Sequence, residues 1–129
     1  MHYGNDKDQY RAWLTKGPIG KLHNLVVHIK ANNARVAVFE SKQMEINENN
    51  DSQHKRILRL VTNGGIRWNS TYLMIDRAIY LKDALTLYQD HADVASTIPE
   101  EQRLDRQDWE ELADLKDLLA PIYEVSMQV

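Results

Sequence analysis

Apolar residues recur every three to four positions through most of this 129-residue sequence, and this spacing constrains the fold more than any other feature. It matches the 3.6-residue turn of an α-helix, whereas a half-buried strand would alternate every second residue. The pattern predicts a mostly α fold, with helices over residues 6–16, 18–31, 34–45, 69–90 and 106–120.

Two stretches are less clear. Residues 34–45 contain β-branched Val36 and Val38, but the surrounding Ala, Glu, Lys, Gln and Met favour a helix. Residues 55–62 are too short to distinguish a strand from a helix end, so a short extended segment is expected there.

Polar stretches divide the sequence without separating it into independent units. A polar loop over 46–53 and a second loop over 91–104 are predicted as internal boundaries of a single partial domain spanning residues 1–129. A kink or interruption of the last helix is predicted at Pro121. Residues suited to start or cap helices are Pro18, Asn32, Asn69 or Ser70, and Asp105.

The charge is unevenly distributed. The net charge is −3, yet residues 1–60 hold 10 Lys and Arg against 6 Asp and Glu, and residues 61–129 hold 6 against 13. This asymmetry permits a basic surface in the first half, although ordinary solvated helix faces are the favoured interpretation. No apolar run is long enough for a membrane span or a signal peptide, so an intracellular protein is expected.

No catalytic constellation is apparent. The absence of cysteine excludes disulfides, thiolate zinc sites and a cysteine nucleophile. Residues 17–21 lack the spacing of a phosphate-binding loop, and His23 and His28 are five apart, not the four that a zinc-binding helix uses. Asp76 and Asp83 are two turns apart, so they are interpreted as solvated acids.

One segment combines groups that could contact nucleic acid. Arg67 can pair with a phosphate and Trp68 can stack on a base, and Lys55, Arg56 and Arg59 lie upstream. The residues alone favour a packing role, in which Trp68 anchors the core and the Arg67 side chain extends to water.

Three stretches, in order, resemble fungal hAT-type DNA transposases. Residues 17–27 (GPIGKLHNLVV) are similar to the family's GP-x-GKLHN stretch, and residues 67–74 (RWNSTYLM) match its RWNSTYLM segment. Residues 108–110 (DWE) and 118–124 (LLAPIYE) resemble its DWE…LLxPFYE segment.

The resemblance implies a ribonuclease-H-like core with three acidic ligands for a divalent metal such as Mg²⁺, and a helical insertion between the second and third acids. The matched stretches fall in the insertion region, so no catalytic residue, metal ligand or cofactor site is carried onto this chain. Arg67 and Trp68 match a pair that the family uses to handle DNA.

The expectation is therefore a transposon-derived helical insertion-domain fragment that is not an enzyme and retains residual nucleic-acid binding, in the nucleus if it follows the family. A retained DNA-binding or protein-interaction module and an inert relic are the alternatives. DNA is the expected partner, and self-association through exposed apolar helix faces is also expected.

Overall fold

The computed structural model describes residues 17–49, 55–62, 68–91 and 97–127. Within these ranges the chain forms five α-helices, one 3-10 turn and no strand. The helices are α1 (Gly17–Lys30), α2 (Asn33–Glu48), α3 (Trp68–Tyr80), α4 (Lys82–Asp90) and α5 (Arg106–Met127), and the 3-10 turn is Glu100–Gln102. The mostly α prediction is confirmed, while the predicted helix 6–16 lies outside the described residues.

The first two helices begin where local chemistry dictates. Gly17 has φ +72°, a conformation that only glycine adopts without strain, and Pro18 then fits the first turn because its missing N–H needs no partner there. The Asn32 side chain accepts hydrogen bonds from the N–H groups of Ala34 (2.7 Å) and Arg35 (3.3 Å), which caps α2. This helix continues to Glu48, beyond the predicted end at 45, so residues 46–48 are helical and not part of a loop.

The predicted single helix over 69–90 is wrong, because the helix breaks at Leu81 (φ −102°, ψ 18°). The Leu81 N–H is shared between the carbonyl groups of Arg77 and Ala78, each 3.1 Å away. The break allows α3 to pack mainly along α5 while α4 packs along α2. Tertiary packing therefore overrides the continuous helical spacing.

The starts and ends of α3 and α5 also refine the sequence predictions. Since α3 begins at Trp68, Asn69 and Ser70 lie in its first turn and do not precede it as caps. The Asp105 carboxylate accepts the Asp108 N–H at 2.8 Å, so the predicted cap of α5 is confirmed. The helix α5 is not interrupted at Pro121, which lies inside it on an exposed face. Water can there bond the carbonyl group that the missing proline N–H leaves free.

One apolar core joins all five helices. The helix α1 packs against α2, α3 and α5, so it occupies the centre of the arrangement. The most deeply buried large side chains are Ile19, Leu22, Val26, Ile29, Met74, Ile75, Leu85, Tyr88 and Leu112. The wide apolar faces of the sequence are thus used to contact more than one neighbour.

Candidate nucleic-acid interface

The segment of residues 55–62 crosses the surface without forming a helix or a strand, and two amide side chains of α2 hold it. Gln43 donates to the Leu58 carbonyl group and accepts from the Leu58 N–H, both at 2.8 Å. Asn47 donates to the Lys55 carbonyl group at 2.8 Å and accepts from the Lys55 N–H at 3.0 Å. We call residues 55–62 the clamped segment, because two side chains one helical turn apart replace the backbone ladder that a sheet would supply.

The helix α3 holds the clamped segment from its other side. The Arg77 guanidinium donates to the Arg59 carbonyl group at 2.5 Å, and the Arg56 N–H donates to the Tyr80 hydroxyl at 3.2 Å. The Lys55 ammonium donates to the Tyr80 carbonyl group at 3.0 Å and lies 4.9 Å from the centre of the Tyr80 ring. Most of these contacts hold main-chain groups, whereas the Lys55 ammonium is itself part of the network.

The clamped segment presents cations to solvent while its leucines face inward. Leu60 is buried and Leu58 is half-buried, whereas Lys55, Arg56 and Arg59 are exposed. Among the described residues, none of these three cations forms an ion pair with a carboxylate. They therefore add positive charge to this surface.

Arg59 also borders a groove between the clamped segment, the end of α1 and α2. Lys30 lines the same groove, which has a volume of about 90 Å³ and an apolar floor that includes Phe39 and Leu60. Glu40 is the acidic residue in its lining. The groove thus extends the positive surface from the clamped segment to the C-terminal end of α1.

The two residues singled out from the sequence are Arg67 and Trp68. Arg67 lies outside the described residues. Trp68 is the first residue of α3 and is 37% exposed, so the core does not enclose its indole. The clamped segment meets α3 near Arg77 and Tyr80, at the opposite end, about 18 Å from Trp68 at 1.5 Å per residue. The structure does not bring Trp68 and the Tyr80 end of the clamped segment together.

The stretch of residues 17–27 in α1 contacts the DWE stretch of α5. Lys21 pairs with Asp108 at 2.8 Å, and Asn24 donates to Gln102 at 3.2 Å. Asp108 also accepts the Asp105 N–H at 3.0 Å, which completes a reciprocal capping box. The pKa of the Asp105 carboxyl is lowered from its usual value, mainly because the carboxylate accepts a hydrogen bond from the Asp108 N–H.

A second set of contacts joins α3 to the C-terminal half of α5. The rings of Tyr72 and Tyr123 stack with centroids 4.6 Å apart, and Lys116 pairs with Asp76 at 3.0 Å. Asp76 therefore pairs across α3 and α5, although the sequence indicated a solvated acid. The three matched stretches contact one another, so much of their shared pattern serves the packing of α1, α3 and α5.

The described residues offer no metal centre. No group of three or more His, Asp or Glu side chains in these ranges could hold an ion. None of the helices in the described part of the chain is both long and apolar enough to cross a lipid bilayer.

Over the described ranges the chain is an all-helical domain. The packing of its helices depends on the three stretches that resemble hAT transposases. Residues 9–118 match the family described as the ZBED1 RNase-like helical domain, and the chain belongs to that family. This membership supports a hAT-like, transposase-derived helical region. No curated protein and no solved structure matches the chain.

Proposed function

We propose that this chain is a helical domain derived from a fungal-type hAT transposase, catalytically inactive by itself, and that it binds nucleic acid through the clamped segment. The observation that carries the proposal is the exposure of Lys55, Arg56 and Arg59, without carboxylate partners among the described residues, on a main chain fixed from both sides.

The chemistry of these three cations suits a phosphate backbone. Arginine offers a planar fork of donors for phosphate oxygens, and lysine adds a point charge. Because Gln43 and Asn47 already fix the main chain, binding would order few additional backbone torsions, which lowers its entropic cost. Such contacts do not read base sequence, so the proposed binding is sequence-independent.

Arg67 and Trp68 belong to the proposal as a second contact. In it, Arg67 meets a phosphate and the Trp68 indole, which is partly exposed, stacks on an unpaired base. About 18 Å separates Trp68 from Tyr80 along α3. A strand contacting both ends of α3 would therefore span several nucleotides.

The proposal gives the domain no chemical step and no resident metal. Binding through lysine and arginine needs no divalent ion, so chelation with EDTA should leave the affinity unchanged at constant ionic strength. A DNA-nicking assay with Mg²⁺ should show no cleavage, and metal-dependent cleavage would contradict the inactive assignment. Nuclear location follows from the proposed partner.

Fluorescence anisotropy of labelled duplex and single-stranded DNA tests the proposal across a salt series. The three cations of the clamped segment should contribute about −2.7 to the slope of log K against log salt on duplex DNA, and Arg67 should add about −0.9. The double variant Arg56→Gln/Arg59→Gln should reduce this slope by about 1.8.

The matched control is Lys42→Gln/Arg106→Gln, which removes the same charge from residues paired with Glu45 and Glu110. It should leave the slope close to that of the wild type. Equal losses in the two double variants would contradict a local site. If the wild type does not bind DNA at low salt, the proposal fails, leaving a protein-interaction module or an inert relic.

A further inference from the structure

The groove beside the clamped segment combines an apolar floor with charged groups of both signs. Its floor includes Val36 and Phe39, of which Phe39 is buried and Val36 half-buried. Lys30 and Arg59 are exposed in its lining, whereas Glu40 is half-buried. Over the described part of the chain, neither cation forms an ion pair with Glu40 or with another carboxylate. All three charges are therefore available to a ligand.

The size of the groove suits part of a planar ring. An enclosed apolar cavity of about 150 Å³ takes up a benzene molecule. The groove has a volume of about 90 Å³, so a ring would insert one edge and leave the rest in solvent. An aliphatic side chain of another protein would also fit this volume, so size alone does not select the ligand.

The charges of the groove distinguish between these two ligands. Lys30 and Arg59 can bind an anion, while the Glu40 carboxylate accepts hydrogen bonds from donors. A nucleotide supplies both groups, because it carries a phosphate and, on cytosine, an N4 amino group that suits a carboxylate. A peptide with acidic side chains matches the two cations but brings like charge to Glu40. Charge complementarity therefore favours a nucleotide.

The position of Arg59 connects the groove with a bound strand. Arg59 belongs to the clamped segment and also lines the groove, so a strand whose phosphate contacts Arg59 brings its bases to the groove. Bases inside a duplex are paired and stacked, and a protein pocket receives a base only when it is unpaired or extruded. The suitable ligand is therefore single-stranded.

We propose that this groove binds an unpaired base of single-stranded DNA and that Glu40 makes it prefer cytosine to thymine. Thymine presents the O4 acceptor where cytosine presents its amino group, so the Glu40 carboxylate disfavours thymine. Phosphate contacts do not read the base, and stacking on Trp68 is sequence-tolerant, so neither produces this preference. The inference rests on the proposed function, because Arg59 supplies the phosphate contact in both.

Fluorescence anisotropy with the full chain at constant salt tests the preference. The probes are labelled oligo(dC), oligo(dT) and a duplex of equal length. The wild type should bind oligo(dC) roughly tenfold more tightly than oligo(dT), the effect of one hydrogen bond to a charged group. Equal affinities for the two single strands would overturn the proposal.

Glu40→Gln tests the residue assigned to the preference. A glutamine amide can accept from cytosine and also donate to thymine O4, so this variant should bind oligo(dC) and oligo(dT) equally. The matched control is Glu48→Gln, which removes the same charge from an exposed position of α2 outside the groove lining. It should keep the preference of the wild type. A preference that persists in Glu40→Gln, or that both variants lose, would overturn the proposal.

A second pair of variants tests the groove itself. Val36→Met narrows it, whereas Ala37→Met adds the same side chain at the next position, which does not line the groove. Val36→Met should weaken binding of oligo(dC) severalfold and leave duplex binding unchanged, and Ala37→Met should change neither. Circular dichroism checks that both variants fold. Unchanged binding of oligo(dC) by folded Val36→Met would overturn the proposal and leave the groove to a side chain of a protein partner.

The duplex probe separates this inference from the proposed function. If duplex binding depends on Arg56 and Arg59 but oligo(dC) and oligo(dT) bind equally, only the base site is wrong. If the wild type binds none of the three probes, both proposals fail.

Discussion

Two acids that look alike in the sequence have different roles in the structure. Asp108 is buried, paired with Lys21 and bonded to the Asp105 N–H, whereas Glu110, two residues later, pairs with Arg106 at the exposed surface. A buried carboxylate that loses its partners pays a desolvation cost, while a surface pair contributes little. The difference depends on α1 lying across the start of α5.

Replacing Asp108 should therefore be the most costly change in this network. Asp108→Ala removes the ion pair and half of the capping box, and we expect a loss of about 2–3 kcal/mol in the free energy of unfolding. Lys21→Met removes the cation but leaves the Asp108 carboxylate its hydrogen bond from the Asp105 N–H, so it should cost less. Arg106→Met is the surface control, with an expected change under about 0.5 kcal/mol. Urea unfolding measures all three, and equal losses would contradict the assignment.

His28 predicts a dependence of stability on pH. Burial, with a smaller contribution from the Arg35 charge, lowers the pKa of His28 from 6.5. The unfolded chain therefore binds a proton at higher pH than the folded one. The contribution of His28 is fully present above pH 6.5 and is lost as the pH falls through its folded pKa.

The test compares urea unfolding at pH 7.5 and at acidic pH. His28→Gln should reduce the loss of stability on acidification relative to the wild type. Arg35→Gln should reduce it by a smaller amount, because burial is the larger cause. If acidification destabilises His28→Gln and the wild type equally, the pH dependence arises elsewhere.

Trp68 and Trp109 provide a matched pair for separating packing from binding. Trp109 is 5% exposed, so Trp109→Ala should cost about 3–5 kcal/mol in unfolding free energy. Trp68 is 37% exposed, so Trp68→Ala should cost less and leave a folded protein. In the proposed contact this variant also loses about 1–3 kcal/mol of binding to single-stranded DNA. Unchanged binding by folded Trp68→Ala would contradict that contact.

At the scale of elements, the side chain of Gln43 replaces a strand as the partner of the clamped segment. Gln43→Leu keeps the apolar volume but leaves the Leu58 N–H and carbonyl groups unpaired, so we expect a loss of about 2–4 kcal/mol. Asn47→Ala is the exposed comparison and should cost about 1 kcal/mol.

Hydrogen exchange gives the local readout. The Leu58 amide should lose protection in Gln43→Leu, and the Lys55 amide should lose it in Asn47→Ala. Protection of Leu58 equal to that of the wild type in Gln43→Leu would show that the clamp does not hold the segment.

The sequence predicts elements best where the evidence is local. The helices α1 and α5 follow from spacing, and the starts of α1, α2 and α5 follow from Pro18, Asn32 and Asp105, whose effects act within one turn. The break at Leu81 has no local cause such as glycine or proline. It depends on α3 and α4 packing against different helices, which periodicity within one stretch does not encode.

The candidate site could be predicted only in part. The sequence indicated a cluster of Lys55, Arg56 and Arg59 but not what holds it. Gln43 is 15 residues from Leu58, and nothing in its own neighbourhood distinguishes a clamping glutamine from a surface one. A weak signal for such a clamp is a glutamine and an asparagine four residues apart in a helix, followed by a segment without helical spacing.

At the scale of the molecule, the small core predicts modest stability. The full chain should melt cooperatively below about 65 °C, the upper end of the ordinary mesophile range. Differential scanning calorimetry at several protein concentrations measures this midpoint and detects self-association through a concentration dependence. A sharp monomeric transition well above that temperature would contradict the prediction.

The clamped segment has a consequence for how this surface could change over generations. Gln43 and Asn47 bind N–H and carbonyl groups, which every residue except proline carries in full. Arg56, Ile57 and Arg59 could therefore be exchanged for other residues while Leu58 and Leu60 keep the segment seated. Substitutions in this segment could therefore change its binding preference while the helices beneath it stay the same.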